Sequence, residues 1–325
     1  MRIGKRHTPP PLRGTSPNLG EEWKYIAALV VRVLLGLFFL VSAIAKWVDI
    51  DRFEVHVFSY NLLSLSASFL VARLLIVAEI LVGVGLVANI WHRFVNICAV
   101  LMLVGFSLFL GIAALAGRTD DCQCMGSLIE MDPLQSLLKN AVLLLLLWIS
   151  MHAKPWAWSP RWWLWVPVVL AVPTTIFIVS APDNWLFGEE TEIYNVEKLQ
   201  EAIADDGELA ALDLDEGKHV VAFVTAGCKF CRMADQKLTS IWQRHDLDSA
   251  ALVYIVSTKD STLAPLSLND TTFLRPAYTL DRESFMLITY GQRPMVMLME
   301  EGEVKGSCHY RNISEGQIVE FFGEN

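Results

Sequence analysis

A chain of 325 residues that is 54% hydrophobic, with a mean hydropathy of +0.41, is too apolar for an ordinary soluble protein. Its formal net charge of −9 excludes a nucleic-acid binder that works by neutralising phosphates, and its length and apolarity exclude a small fold stapled by its six cysteines. Length suggests two domains, and the sequence divides near Ala181, with long uncharged runs before it and an acidic, soluble-type composition after it.

Residues 1–24 are basic and include Pro9, Pro10 and Pro11. They read as a flexible cytoplasmic tail and not as a cleaved signal peptide, because no short apolar region with a small-residue cleavage site follows directly. A helix needs roughly 20 apolar residues to cross the hydrocarbon core. Five segments qualify: Tyr25–Trp47, Ser68–Ile90, Phe94–Ala116, Leu134–Met151 and Trp162–Ser180. The first four make a transmembrane domain over 25–156, and 157–182 holds the fifth helix. Tyr25, Trp47, Trp91, Trp162 and Trp163 sit at span ends as interface anchors. With the N-terminus inside, the inner segments carry Arg2, Lys5, Arg6, Arg13, Lys24, Arg93, Lys154 and Arg161, against Lys46, Arg52 and Arg118 outside. That asymmetry predicts a cytoplasmic N-terminus. Five spans then put the C-terminal domain in the periplasm of a bacterial inner-membrane protein, on the same side as the loop GRTDDCQCMGSLIEMDP.

A linker over 183–190 leads to a soluble domain, 191–325. VEKLQEAIA has helical pattern, HVVAFVTA is a buried-strand run, CRMADQKLTSIWQRH has helix spacing, and ALVYIVST reads as a second strand. PMVMLME and a strand from Val304 form a hairpin across EEGE, and SEGQIVEFFG closes the domain as a helix. Cys228 and Cys231 therefore fall directly after a strand, at a helix start. Backbone N–H groups and the helix dipole stabilise a thiolate there. Cys228 is the expected attacking thiol and Cys231 the resolving one, with Lys229 between them favouring the thiolate further. A zinc half-site and inert packing remain alternative readings of the pair.

Cys122 and Cys124 stand in the outer loop. A disulfide across one intervening residue closes a strained, easily reduced ring, which suits a relay. A structural clasp, or metal ligation together with the other pair, is the alternative. Asp120 and Asp121 beside them disfavour a thiolate. Among ionisable residues in the spans, Glu79 reads as mid-span. It either pairs with Arg32 for structure, or lines with it a pocket for a quinone or a proton path. Arg73 and Lys139 read as snorkelling to the interface. Cys98 is a small buried apolar residue, and Cys308 is packing or a secondary thiol.

From about Asn195 onward the chain resembles the thioredoxin-like superfamily, through the strand before Cys228, the CKFC motif, the helix after it and Arg293-Pro294 ahead of a strand–turn–strand. The resemblance implies a cis-proline at Pro294 packed against the dithiol, with Pro294, Arg293, Lys229 and Phe230 meeting an extended substrate. Gly227 stands where the superfamily often has Trp, and Lys-Phe replaces Gly-Pro between the cysteines, so the redox poise is not carried over. Tyr25 to Trp156 resembles the DoxX and MauE-like four-span family. The carrying residues are RVLLGLFFLVSAIAKW with Ser42 and Lys46, ARLLIVAEILVGVGL with Glu79, Cys122-Gln-Cys124-Met-Gly126, and Asn140 in SLLKNAVLLLLL. Met125 replaces that family's usual Phe. These resemblances imply a four-span membrane bundle plus a fifth span, followed by an α/β thioredoxin-like domain. They imply a thiol–disulfide oxidoreductase whose CxxC pair exchanges with periplasmic protein thiols and disulfides, relays to the CxC pair and passes electrons to a quinone. The rival expectations are a periplasmic reductase or isomerase, and a non-catalytic assembly factor or metal-binding membrane protein.

Overall fold

The computed structural model describes residues 19–117, 123, 125–126, 131–152, 163, 165–182, 193–204, 207, 209–225, 227–258 and 277–323. Residues 1–18 of the predicted tail, the 183–190 linker, Cys122 and Cys124 lie outside the described residues. The chain forms two compact units, one of residues 1–41, 80–122 and 131–166, the other of residues 42–79, 123–130 and 167–325.

Four helices are long and apolar enough to cross a membrane, within α1 (Leu19–Val48), α3 (Leu65–Ala88), α4 (His92–Leu115) and α5 (Pro133–His152). Helix α1 begins at Leu19, inside the stretch predicted as tail. In the first unit, Leu35 and Phe39 of α1, Val82 and Leu86 of α3, Val95, Ala99 and Leu103 of α4, and Leu143 and Leu147 of α5 form one buried core. Bilayer tails are as apolar as leucine, so close packing must hold such helices together. The contact between Gly36 and Gly83 supplies it: a Cβ on Gly36 would stand 2.8 Å from the Gly83 carbonyl oxygen. Leu101, Leu108 and Ile112 of α4, and Leu138 and Leu145 of α5, are exposed, as side chains facing lipid would be. Asn140 Nδ2 donates to Ser107 Oγ at 3.3 Å, tying α5 to α4.

The described part of the predicted fifth span is α6 (Trp165–Val179), 15 residues with Pro173 inside it. At 1.5 Å per residue it covers about 22 Å of a core about 30 Å thick.

The second unit holds α6 and a mixed α/β domain made of α7 (Val196–Ile203), β1 (Lys218–Val224), α8 (Lys229–His245), β2 (Leu252–Thr258), β3 (Ala277–Asp281), α9 (Arg282–Thr289), β4 (Met295–Glu300), β5 (Glu303–His309) and α10 (Glu315–Phe322). The sheet order is β3-β2-β1-β4-β5, with β1, β2 and β3 parallel and β4 and β5 antiparallel. Strand β1 is central and covered on both faces, so its run is continuously apolar. Val220, Ala222 and Val224 face Ala234, Leu238 and Ile241 of α8. Val221 and Phe223 face Leu199 of α7 and Phe285 and Ile288 of α9. The β4–β5 hairpin turns at Glu301 and Gly302, both with positive φ, as expected from EEGE. This is a thioredoxin-like arrangement. The sequence reading misses β3 and α9, which add an edge strand and a helix between the second strand and the hairpin.

A short helix, α2 (Ile50–Ser59), fills what reads as an outer loop, and it packs on α8. Phe58 of α2 and Leu65 and Phe69 of α3 are buried in the same cluster as Val220, Trp242 and Tyr310. Arg244 of α8 bonds Glu315 at 2.7 Å and the Leu63 carbonyl at 2.6 Å, and the Leu65 amide donates to Glu315. The soluble domain's core therefore includes the first turns of α3.

Candidate redox site

The strand-to-helix turn after β1 sets the dithiol. Val224 ends the buried strand, Gly227 turns the chain at φ +76°, and Cys228 caps α8 with extended backbone. Cys228 Sγ accepts the Cys231 amide at 3.4 Å, taking up one of the donors that a helix start leaves unpaired. The two sulfurs are unequal. Cys228 is half-buried, whereas Cys231 is fully buried one turn into the helix, against the β1 core. The Thr225 amide reaches Cys231 Sγ at 3.5 Å.

Burial, then the bond with Cys228, pushes the Cys231 thiol up to about 12, against the opposing pull of the Thr225 amide. An unfolded chain releases a cysteine proton near pH 8.5–9, while the folded reduced protein holds this one to about pH 12. The stability it contributes is therefore intact below about pH 9 and lost as pH rises toward 12. Thermal melts between pH 8 and 11 will show the reduced protein losing stability faster than the disulfide form, which has no such proton. Parallel slopes for the two forms would rule this out.

The structure places the other predicted substrate residues as follows. The Arg293–Pro294 bond is cis; Pro294 is buried and Arg293 exposed. Pro294 lies one step beyond the Phe223–Met295 pair of the β1–β4 ladder, at the sheet end from which the Cys228 turn leaves. Phe230 is 42% exposed and stacks on Tyr310, ring centroids 4.9 Å apart. Lys229 departs from expectation: its Nζ lies 2.5 Å from Asp49 Oδ1, so its charge is directed to the residue before α2. Asp51 of α2 accepts from Arg311 at 3.1 Å and from the Tyr310 hydroxyl at 3.3 Å. Asp49, Asp51, Tyr310 and Arg311 were missed by sequence reasoning. The acid–x–acid spacing in VDIDRF is the signal they left.

Glu79 does not pair with Arg32. Arg32 Nε donates to the Leu86 carbonyl at 3.2 Å, while Glu79 meets Lys46 at 2.5 Å and Ser42 at 3.3 Å. All three of Ser42, Lys46 and Glu79 are buried. Glu79 lies near the middle of α3, and it meets α1 at Lys46, two residues from that helix's end. Arg73 does not snorkel. It is 1% exposed, paired with Glu54 at 2.7 Å, and donates to the carbonyls of Phe69, Ser180 and Ala181.

Of the CxC loop, Gln123, Met125 and Gly126 are described and buried. Gly126 has φ +59°, and a Cβ there would stand 2.6 Å from the Ala45 carbonyl carbon and 3.0 Å from the Lys46 amide. Backbone cannot yield as a side chain end can, so Gly126→Ala must displace the loop. An expected loss of about 1–3 kcal/mol, read as a lowered melting temperature in detergent, follows. An unchanged melt would mean that the loop does not sit on α1.

Among the described residues no three His, Cys, Asp or Glu side chains gather as metal ligands. A zinc site on Cys228 and Cys231 would have to draw its other ligands from outside them. Residues 24–153 match the family model of the methylamine utilisation protein MauE. The MauE-matching stretch holds all four span-length helices together with Ser42, Lys46 and Glu79. The chain is also similar to Protein TlpB of Flavobacterium psychrophilum, at 23% identity over 267 residues, covering 66% of this chain and 72% of the relative. No solved structure matches. The chain is a membrane protein with a MauE-matching helical part and a mixed α/β domain carrying a dithiol.

Proposed function

We propose that the protein is a thiol–disulfide oxidoreductase of the bacterial inner membrane, with its dithiol domain in the periplasm. The inequality of its two thiols carries this reading: one half-exposed at a helix cap, the other buried a turn deeper and held protonated. In the reducing direction, the Cys228 thiolate attacks a client disulfide, and one client sulfur leaves as thiolate. Cys231 loses its proton and attacks the Cys228 sulfur, the second client sulfur leaves, and a Cys228–Cys231 disulfide remains. The oxidising direction is the reverse. The exposed Phe230 and Arg293, with Pro294 next to Arg293, are where a client chain would lie.

The second half of the reading passes the electron pair between Cys228/Cys231 and Cys122/Cys124, and then to a quinone. The loop's Gly126 rests on α1 at Ala45–Lys46, beside the buried Ser42–Lys46–Glu79 cluster, which is suited to hold a proton near the loop. Lys46, not Arg32, is the cation of that cluster.

A Cys231→Ser variant tests exchange directly. It should accumulate mixed disulfides through Cys228, visible as adducts on non-reducing gels and identifiable by mass spectrometry. A peptide joining Cys228 to Cys122 or Cys124 would support the relay. Absence of any Cys228 adduct, with the variant folded, would sink the enzymatic reading.

A further inference from the structure

Beside the dithiol is a cleft of about 240 Å³, lined by Asp49, Arg52, Lys229, Arg232, Met233 and Gln236. Ligand and cofactor sites usually enclose about 300–1,000 Å³, so this cleft suits a side chain or two better than a quinone or a nucleotide. Its wall from α8 consists of positions 229, 232, 233 and 236, one helical face that starts at the residue after Cys228 and runs about 10 Å along the axis. That length matches about three residues of extended chain.

The charge of the cleft runs against that of the molecule. The chain carries −9 overall. In the cleft, Lys229 and Asp49 offset one another at 2.5 Å, and Arg232 adds a further formal positive charge. Arg232 is exposed and has no ion-pair partner among the described residues. Met233 is buried as the floor, and Gln236 is half-buried. A domain that should draw cationic peptides by its long-range field thus presents the Arg232 guanidinium, a strong carboxylate binder, close to its attacking sulfur.

We propose that this cleft selects client segments bearing Asp or Glu within about three residues of the client cysteine, with Arg232 as the reading residue. The proposal rests on the thiol-exchange reading above and names its substrate class. A client carboxylate beside Arg232 holds the chain along α8 and so sets its cysteine at Cys228.

The test uses full-length reduced protein in detergent. Three peptides are joined through their single cysteine to a chromophoric aromatic thiol, with Glu, Gln or Lys at the two positions following that cysteine. Cys228 and Cys231 give up an electron pair, the peptide disulfide accepts it, and the aromatic thiol and peptide thiol are released. At low salt the Glu peptide should react about tenfold faster than the Lys peptide, and the ratio should shrink toward one near 1 M salt. In Arg232→Glu the order should reverse, each rate being referred to the Gln peptide so that a general loss of activity cancels. A wild-type ratio of one, or a ratio that Arg232→Glu leaves unmoved, would overturn the proposal. If the wild-type protein reacts with none of the three, the exchange reading itself fails.

Discussion

A fragment starting at residue 191 will melt far below the same domain in the full-length protein. The reason is the shared core: Phe58, Leu65 and Phe69 are 0%, 5% and 2% exposed, in one cluster with Val220, Leu238 and Trp242. Burying each such side chain contributes about 1.5–3 kcal/mol. Losing three removes a large part of the roughly 5–15 kcal/mol that holds an average domain together. The excised domain would also lose the Leu63 carbonyl and Leu65 amide that engage Arg244 and Glu315. Dye binding to exposed apolar surface should accompany the lowered melt. Within the full chain, Phe58→Ala alone should cost about 3–5 kcal/mol. A fragment melting within about 5 °C of the intact domain would show that residues 42–79 are dispensable to it.

Removing Arg73 should be nearly as damaging. Its guanidinium is wholly buried, meets Glu54 and donates to three carbonyls, two of them at the end of α6. Arg73→Met would leave a buried carboxylate and bare carbonyls, an expected cost of about 3–5 kcal/mol. Replacing both partners, as in Arg73→Met with Glu54→Leu, should recover part of that loss, because it removes the buried carboxylate as well as the guanidinium. Melting of the detergent-solubilised single and double variants decides the matter. A single variant as stable as the parent, or a double variant worse than the single, would contradict the assignment.

Much of the local structure around the dithiol could be read from residue order. The strand, the Cys228–Cys231 spacing and the following helix are local features, each written within a few residues, and so is the hairpin at Glu301–Gly302. Strand β3 was missed because five residues, AYTLD, are too short for a period to declare itself, and its place in the sheet is fixed by pairing with β2. Helix α2 was hidden because its charged face made a packed helix look like a loop. Helix α3 is 24 residues, about 36 Å, longer than the hydrocarbon core. Hydropathy cannot tell that its first turns, Leu65 to Phe69, serve the soluble core instead of lipid. Nor can hydropathy tell which cation of span one faces Glu79, and packing pairs it with Lys46 instead of Arg32. Lys229 was misjudged for a similar reason, since its acidic partner lies 180 residues away in the chain.

The burial of Phe58, Leu65 and Phe69 also decides where this protein can be cut and rejoined. A chimera that exchanges the dithiol domain at the 183–190 segment would graft it onto foreign side chains at residues 58, 65 and 69. A hybrid that carries residues 42–79 along with 167–325 would keep the packing whole. The transferable module is therefore discontinuous in the gene, and a single crossover point cannot move it.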